Sequence, residues 1–345
     1  MLSGSEARPK ALAALWRTGL VLVLLTPAVG SASKGNADVA QWLQQWLERC
    51  GRPPTRAVTE VEGRGGIYRW RDAEGNLHFG DRPPPGGAED QRQRYGSRQQ
   101  FFQLDLQAPD GELPPLLLDR LRAEVNAIFG VLAGLVDRRH LRQVELDLKV
   151  FNGGSRFRAY GAQVGQFNPS VAGYYHILRN EAVVARQRDD EITRAVARHE
   201  ATHAVIAGLF GPLPPWLNEG LAEYFEDLVL VGGQRRVEAD DYWLGLLRSN
   251  ARRLPSLRVY MELPPQRWYG NPAFNYAMGW SLVYFLFDHP QRRALLGQTL
   301  QLVAEARCQV LDLPSYLDDR YPGGLEAMER HWRGWLDIDP DPHYY

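Results

Sequence analysis

The residues best suited to chemistry stand in one stretch, His199-Glu200-Ala201-Thr202-His203. Two histidines four positions apart project from one face of a helix, so both neutral imidazoles can reach a single ion. Zinc suits such a pair: imidazole nitrogen binds it at about 2.0–2.1 Å, and a catalytic site adds a third protein ligand and a water. Glu200 lies on the same turn, offset from both histidines, and can face the bound water without ligating. That is where a general base belongs. The expected cofactor is one zinc ion (Zn2+) per chain, with His199 and His203 as ligands.

A third ligand must come from another element. Pro214-Pro215-Trp216-Leu217-Asn218-Glu219-Gly220 opens a second helix, and its two prolines suit the entry. Fifteen residues separate His203 from Glu219, enough for the rest of one helix, a turn and the start of the next. Glu219 can therefore complete the site, although Glu223, one turn on, can reach the same region. The paired motifs His199-Glu200-x-x-His203 and Trp216-Leu217-Asn218-Glu219-Gly220 resemble those of the gluzincin zinc metallopeptidases. That resemblance implies that Glu219 is the third ligand. The gap between the motifs is shorter than in the aminopeptidase N-like family, which points to another branch of the superfamily. Glu223 then suits a supporting role, accepting the free imidazole N–H of a histidine ligand and fixing its tautomer; the alternative is a solvated carboxylate. Glu226 lies a further turn away and is expected to matter little.

The resemblance extends over approximately residues 113 to 336. Asn275-Tyr276-Ala-Met-Gly279-Trp-Ser resembles the gluzincin helix whose tyrosine steadies the oxyanion, which implies that role for Tyr276. The other reading of Tyr276 is a half-buried core aromatic. Ala172-Gly173-Tyr174-Tyr175 and Glu181 to Val184 resemble the sheet edge that precedes the metal helix in this superfamily. Gly173, Tyr174 and Tyr175 are thus implied to bind an extended peptide by strand addition. The Gly-Ala-Met-Glu-Asn signature of the aminopeptidases does not occur there, so aminopeptidase specificity is not implied. The implied activity is zinc-dependent peptide-bond hydrolysis on a peptide or protein substrate, cell-wall peptides included, with the zinc-bound water activated by Glu200. The rival from another class is an envelope binding or assembly protein that retains zinc without catalysis. Glu200 separates the two, because a structural zinc does not need it.

The surrounding pattern predicts α+β architecture, a small β-sheet followed by a mostly helical region, and the gluzincin resemblance implies that this is a thermolysin-like zinc peptidase domain. Leu117, Leu121, Val125, Ile128, Leu132 and Leu135 repeat at helical spacing, whereas Val144, Leu146, Leu148 and Val150 alternate as a half-buried strand does. Tyr174 to Leu178 and Glu181 to Val184 read as a hairpin around Arg179-Asn180. From Asp189 onward almost everything reads as helix, broken at Gly211-Pro212, Pro255, Pro264-Pro265, Pro290 and Pro322.

Ahead of this domain, expected over 111–345, three features stand in order. Residues 1–32 read as a cleaved signal peptide: Arg8, Lys10 and Arg17 precede an apolar run from Gly19 to Leu25, about half of what spans a bilayer. Residues 33–60 hold a short helix marked by Trp42, Leu43, Trp46 and Leu47, then a linker. Residues 61–87 form a hairpin-sized module, and 88–110 read as a second linker, charged and Gln-rich over 88–100. Tyr68, Trp70, Asp72, Gly75, His78, Phe79, Asp81 and Pro83-Pro84 of the module resemble a small domain of unknown function in proteobacterial envelope proteins. That resemblance implies export to a Gram-negative periplasm, with no stable membrane span after cleavage.

With 40 basic and 41 acidic residues the net charge is −1, which excludes a broad basic surface for nucleic acid. Cys50 and Cys308 are the two cysteines, too few for a zinc ribbon; an exported chain permits a disulfide, and two separate thiols fit equally.

Overall fold

In a computed structural model of the chain, residues 68–71, 77–80, 101–165, 171–306 and 309–345 are described. The expected signal peptide, the helix around Trp42 to Leu47, and both cysteines lie outside them. No described helix is long and apolar enough to cross a membrane.

Strands β1 (Tyr68–Arg71) and β2 (Leu77–Gly80) pair antiparallel, Tyr68 opposite Gly80 and Arg71 opposite Leu77. This is the hairpin that the turn formers from Asp72 to Asn76 predict.

The larger part of the chain is α+β. Its first layer comprises β3 (Phe102–Gln107), α1 (Pro115–Ala133), β4 (Val144–Phe151), α2 (Gly154–Gln163), β5 (Gly173–His176) and β6 (Glu181–Ala185). The strands order β3-β4-β6-β5; β3 and β6 run parallel to β4, and β5 closes one edge antiparallel to β6. Val144, Leu146, Leu148 and Val150 point into the core as their alternation requires. The turn before β6 places Asn180 at φ 56°, a left-handed position that asparagine tolerates.

One expectation is corrected here. The stretch 88–110 is not linker throughout, because β3 occupies Phe102–Gln107 and joins the sheet. Phe102 is buried and stacks on Phe129 of α1, ring centroids 4.8 Å apart. Its partner strand begins at residue 144, and a parallel pairing at that distance leaves no local trace in composition.

The second layer follows residue 189: α3 (Asp190–Leu209), α4 (Pro215–Glu226), β7 (Leu228–Val231), β8 (Gln234–Val237), α5 (Asp241–Ser249), α6 (Leu257–Met261), α7 (Pro265–Trp268), α8 (Pro272–Phe287), α9 (Pro290–Ala306), α10 (Leu313–Arg320), α11 (Gly324–Leu336) and β9 (His343–Tyr344). The helical reading of this half misses an antiparallel sheet, β7-β8-β9. Its strands have four, four and two residues, too short to show a period, and turn on Gly232-Gly233, both at positive φ.

Helix α3 starts where it does because Asp189 accepts the backbone N–H of Glu191 at 2.8 Å, while Asp190 and Glu191 face the positive helix end. It stops at Gly211, whose φ of 91° and bond to the Ile206 carbonyl make a glycine cap. Pro215 then opens α4 at its first helical position. Helix α8 is buried at every residue from Asn275 to Phe287, so it forms the centre of the helical layer. A Cβ on Gly220 of α4 would lie 2.5 Å from the Gly279 carbonyl oxygen of α8, and one on Gly279 would lie 2.9 Å from the Trp216 carbonyl oxygen. The two glycines let these helices cross at backbone contact.

Candidate metal centre

The crossing of α3 with α4 brings three donor atoms together. Glu219 Oε2 lies 3.7 Å from His199 Nε2 and 3.5 Å from His203 Nε2. Ligands on a tetrahedral zinc at about 2.0–2.1 Å would stand roughly 3.3–3.4 Å apart, and these two separations are only a little longer. The donors also pass a second test of fit. Buried polar atoms in folded proteins nearly always have a partner. Here His203 Nε2 and Glu219 Oε2 have no hydrogen-bond partner, though their residues are 3% and 0% exposed. A cation held between them would satisfy both atoms at once.

Glu200 sits beside the triad on α3, 2% exposed, with Oε2 likewise lacking a hydrogen-bond partner. Burial, reinforced by the negative charges of Glu219 and Glu226, pushes its carboxyl up to about 8; His199 and a backbone hydrogen bond at Tyr175 act the other way. For Glu219, burial also favours the neutral form, but His203, His199 and Tyr269 outweigh it and hold the carboxyl below its ordinary value. Burial opposes a charge on His199 too. There, the pairing of its ring with the Glu219 and Glu226 carboxylates, with the charges of Glu223 and Glu200, prevails and raises its pKa well above the usual value. For His203 burial, helped by the charge of His199, outweighs Glu219 and Asn218, which act the other way, and pushes the imidazole down to about 4.

The far side of His199 corrects another expectation. Its Nδ1 pairs with Glu226 Oε2 at 3.2 Å, while Glu223 Oε1 stands at 3.6 Å. Glu223 spends its other oxygen on the indole N–H of Trp243, at 3.0 Å. Glu226 is therefore the nearer partner of the imidazole, although its distance along the helix suggests otherwise. Helix α4 runs across α3, so residues one turn apart flank the same ring. Glu226 is itself anchored: its backbone carbonyl accepts the Arg198 Nε–H at 2.8 Å. Arg198, 1% exposed, also donates to Glu124 at 2.8 Å and to Glu191 at 3.0 Å, and Arg194 pairs with the same two carboxylates. A proton on His199 Nδ1, donated to Glu226, leaves Nε2 its lone pair for an ion.

Tyr276 arrives from α8. It is 3% exposed, packs on Trp268 with ring centroids 5.1 Å apart, and lies within electrostatic reach of Glu219, Glu223 and Glu200. Burial and those carboxylates raise its pKa well above the usual value, so the phenol keeps its proton. Of the three residues expected to bind substrate, Gly173 lies against α3: a Cβ there would stand 2.6 Å from Val196 Cγ1 and 2.9 Å from Glu200 Cγ. Tyr174 turns to the opposite face and packs on Phe157, ring centroids 5.5 Å apart. Tyr175 enters the main core and donates its hydroxyl to Asn180 at 2.8 Å. Both tyrosine side chains are buried, so β5 can offer a ligand its backbone edge, not these rings.

One residue of the site escapes the sequence reading. Tyr269, just past α7, donates its hydroxyl to Glu219 Oε1 at 2.8 Å. It lies fifty positions from Glu219 in an aromatic-rich stretch and belongs to no motif, so nothing local marks it.

Comparison with known protein families matches residues 63–95 to a domain of unknown function, DUF4124, a small envelope-associated domain. The match contains the β1-β2 hairpin and ends before α3 and α4 begin. No curated protein matches the chain.

Proposed function

We propose that this chain is a gluzincin-type zinc metallopeptidase that hydrolyses peptide bonds in the bacterial cell envelope. The observation that carries the reading is the convergence of His199 Nε2, His203 Nε2 and Glu219 Oε2 beside a buried, unligated Glu200. When bound, zinc supplies Lewis acidity, lowering the pKa of a water and polarising the scissile carbonyl.

The chain's own residues account for the rest. Glu200 accepts a proton from the attacking water and returns it to the departing amine, which requires a carboxyl poised nearer neutrality than an exposed glutamate. In the metal-free site burial raises its carboxyl in that direction, and a bound cation would favour the ionised form that accepts the proton. Tyr276, kept protonated, donates a hydrogen bond to the oxyanion as its charge grows. Glu226 orients His199, and the backbone of β5 receives an extended substrate as an added strand. The envelope-associated domain at residues 63–95 supports export to the periplasm as the setting.

Metal content and cleavage of a mixed peptide library, with and without chelator, test the proposal. About one zinc per chain is expected, with chelator-sensitive hydrolysis. Glu200→Gln should retain the metal and lose turnover by about 10²–10⁴-fold or more. Near wild-type hydrolysis by that variant would sink the assignment. Stoichiometric zinc with no cleavage by the wild type would favour a zinc-retaining envelope binding or assembly protein.

A further inference from the structure

A carboxylate ligand has two oxygens, and a site that keeps a position open for water must prevent the second from taking it. Glu219 is fully buried, and its two oxygens have different surroundings. Oε2 faces the two imidazole Nε2 atoms and has no hydrogen-bond partner, whereas Oε1 accepts the Tyr269 hydroxyl at 2.8 Å. The phenol reaches Glu219 because its own segment is tied down. Asn275 of α8 donates its side-chain N–H to the Trp268 carbonyl, one residue before Tyr269. The Asn275 carbonyl in turn accepts the Tyr260 hydroxyl at 2.6 Å. Trp268 packs between Tyr269 and Tyr276, with ring centroids 5.0 and 5.1 Å away. The segment after α7 is thereby fastened to the helix that carries Tyr276.

We infer that Tyr269 is a positioning residue of the metal centre: by occupying Glu219 Oε1 it makes the glutamate a single-oxygen donor and keeps the fourth coordination position open. The inference rests on the metal reading proposed above. It does not require the bound ion to be catalytic. Removing the phenol oxygen frees Oε1 to swing inward and chelate, which raises the coordination number at the expense of water. It also removes a partner that holds the ligand in place, a loss that typically lowers metal affinity about 10–100-fold.

The test uses the full chain and its Tyr269→Phe variant, which keeps the ring that packs on Trp268. Each metal-free protein is titrated with zinc against a competing chelator, and each is loaded with cobalt(II) for visible absorption. The expected result is zinc affinity lower by about 10–100-fold, with weaker cobalt d–d bands as four-coordination gives way to higher coordination. Circular dichroism and thermal unfolding of the metal-free variant should match the wild type. Unchanged affinity with an unchanged cobalt spectrum would overturn the inference. So would a fall in affinity accompanied by loss of the metal-free fold, which would make the tyrosine purely structural. If the wild type itself binds neither metal, the metal reading fails and takes this inference with it; a wild type that binds while the variant's spectrum stays the same refutes the role of Tyr269 alone.

Discussion

At the scale of single residues, the candidate metal centre is a cluster of buried charges that a bound cation would balance. His199 carries the sharpest consequence, because both of its nitrogens face carboxylates. Losing a ligand removes a metal bond, whereas losing a partner of a ligand typically costs about 10–100-fold. Chelator-competition titrations should therefore rank the variants: Glu219→Ala empties the site, Glu226→Ala weakens it by about 10–100-fold, and Glu223→Ala has a smaller effect than Glu226→Ala. An inverted order for the last two would show that the 3.2 Å contact does not govern the imidazole. Glu200 makes the metal-free protein sensitive to pH. Its folded carboxyl lies near 8 against 4.5 for the ordinary value, a raised pKa. Its contribution to stability is thus fully present below about 4.5 and is lost as pH rises through about 8. Urea unfolding of metal-free wild type and Glu200→Gln should show the variant losing less stability over that window, by a few kcal/mol at about 1.4 kcal/mol per pKa unit. Parallel pH profiles would contradict the charge balance described for the site.

At the scale of elements, the site depends on how closely two helices approach. Helix α4 carries Glu219 and α8 carries Tyr276, and they cross where Gly220 meets the backbone of Gly279. The glycine after Glu219 thus has a packing reason independent of any chemistry. Gly220→Ala would place a methyl 2.5 Å from a carbonyl oxygen, closer than real Cβ atoms come. Because that neighbour is backbone, a helix must shift, and the expected cost is about 1–3 kcal/mol or more. Differential scanning calorimetry should show the loss, together with weaker zinc binding as Glu219 moves with its helix. A variant with unchanged Tm would mean that the crossing has room to spare. On the other side of α3, Arg198 ties α1, through Glu124, to the last turn of α4. That contact joins the outer layer to the residue that orients His199.

At the scale of the whole molecule, the domain with the candidate metal centre begins earlier than its expected bound at residue 111. β3 lies at the edge of the four-stranded sheet, paired along its full length with β4 and capped by the Phe102–Phe129 stack. A chain starting at residue 101 should fold and bind zinc as the full chain does. A chain starting at 111, which lacks β3, strips one side of β4 of its hydrogen bonds and exposes the core beneath Phe102; it should unfold at lower denaturant or fail to fold. Equal midpoints for the two chains would return residues 102–107 to the linker. The far end of the chain is held as firmly: the Tyr224 hydroxyl of α4 lies 2.6 Å from His343 Nδ1 and 2.6 Å from the Tyr345 hydroxyl, so the C-terminal strand braces the helix that carries Glu219.

The sequence alone determined the features that local spacing dictates. Two histidines at helical register with a glutamate between them, a second helix opened by Pro215, the alternation from Val144 to Val150 and the turn formers of the N-terminal hairpin each express a period or a cap within a few residues. The α+β order and the candidate ligands His199 and His203 were legible for that reason, whereas the choice of Glu219 over Glu223 rests on the resemblance of its motif. Only the tertiary structure decided the contacts between distant segments: β3 beside β4, Tyr269 on Glu219, and Glu226 rather than Glu223 nearest His199. Position along one helix ranks Glu223 ahead of Glu226, but the crossing angle of a second helix decides which carboxylate meets the ring. That angle is set by glycines and buried side chains on α4 and α8 jointly, and no single stretch of sequence contains it.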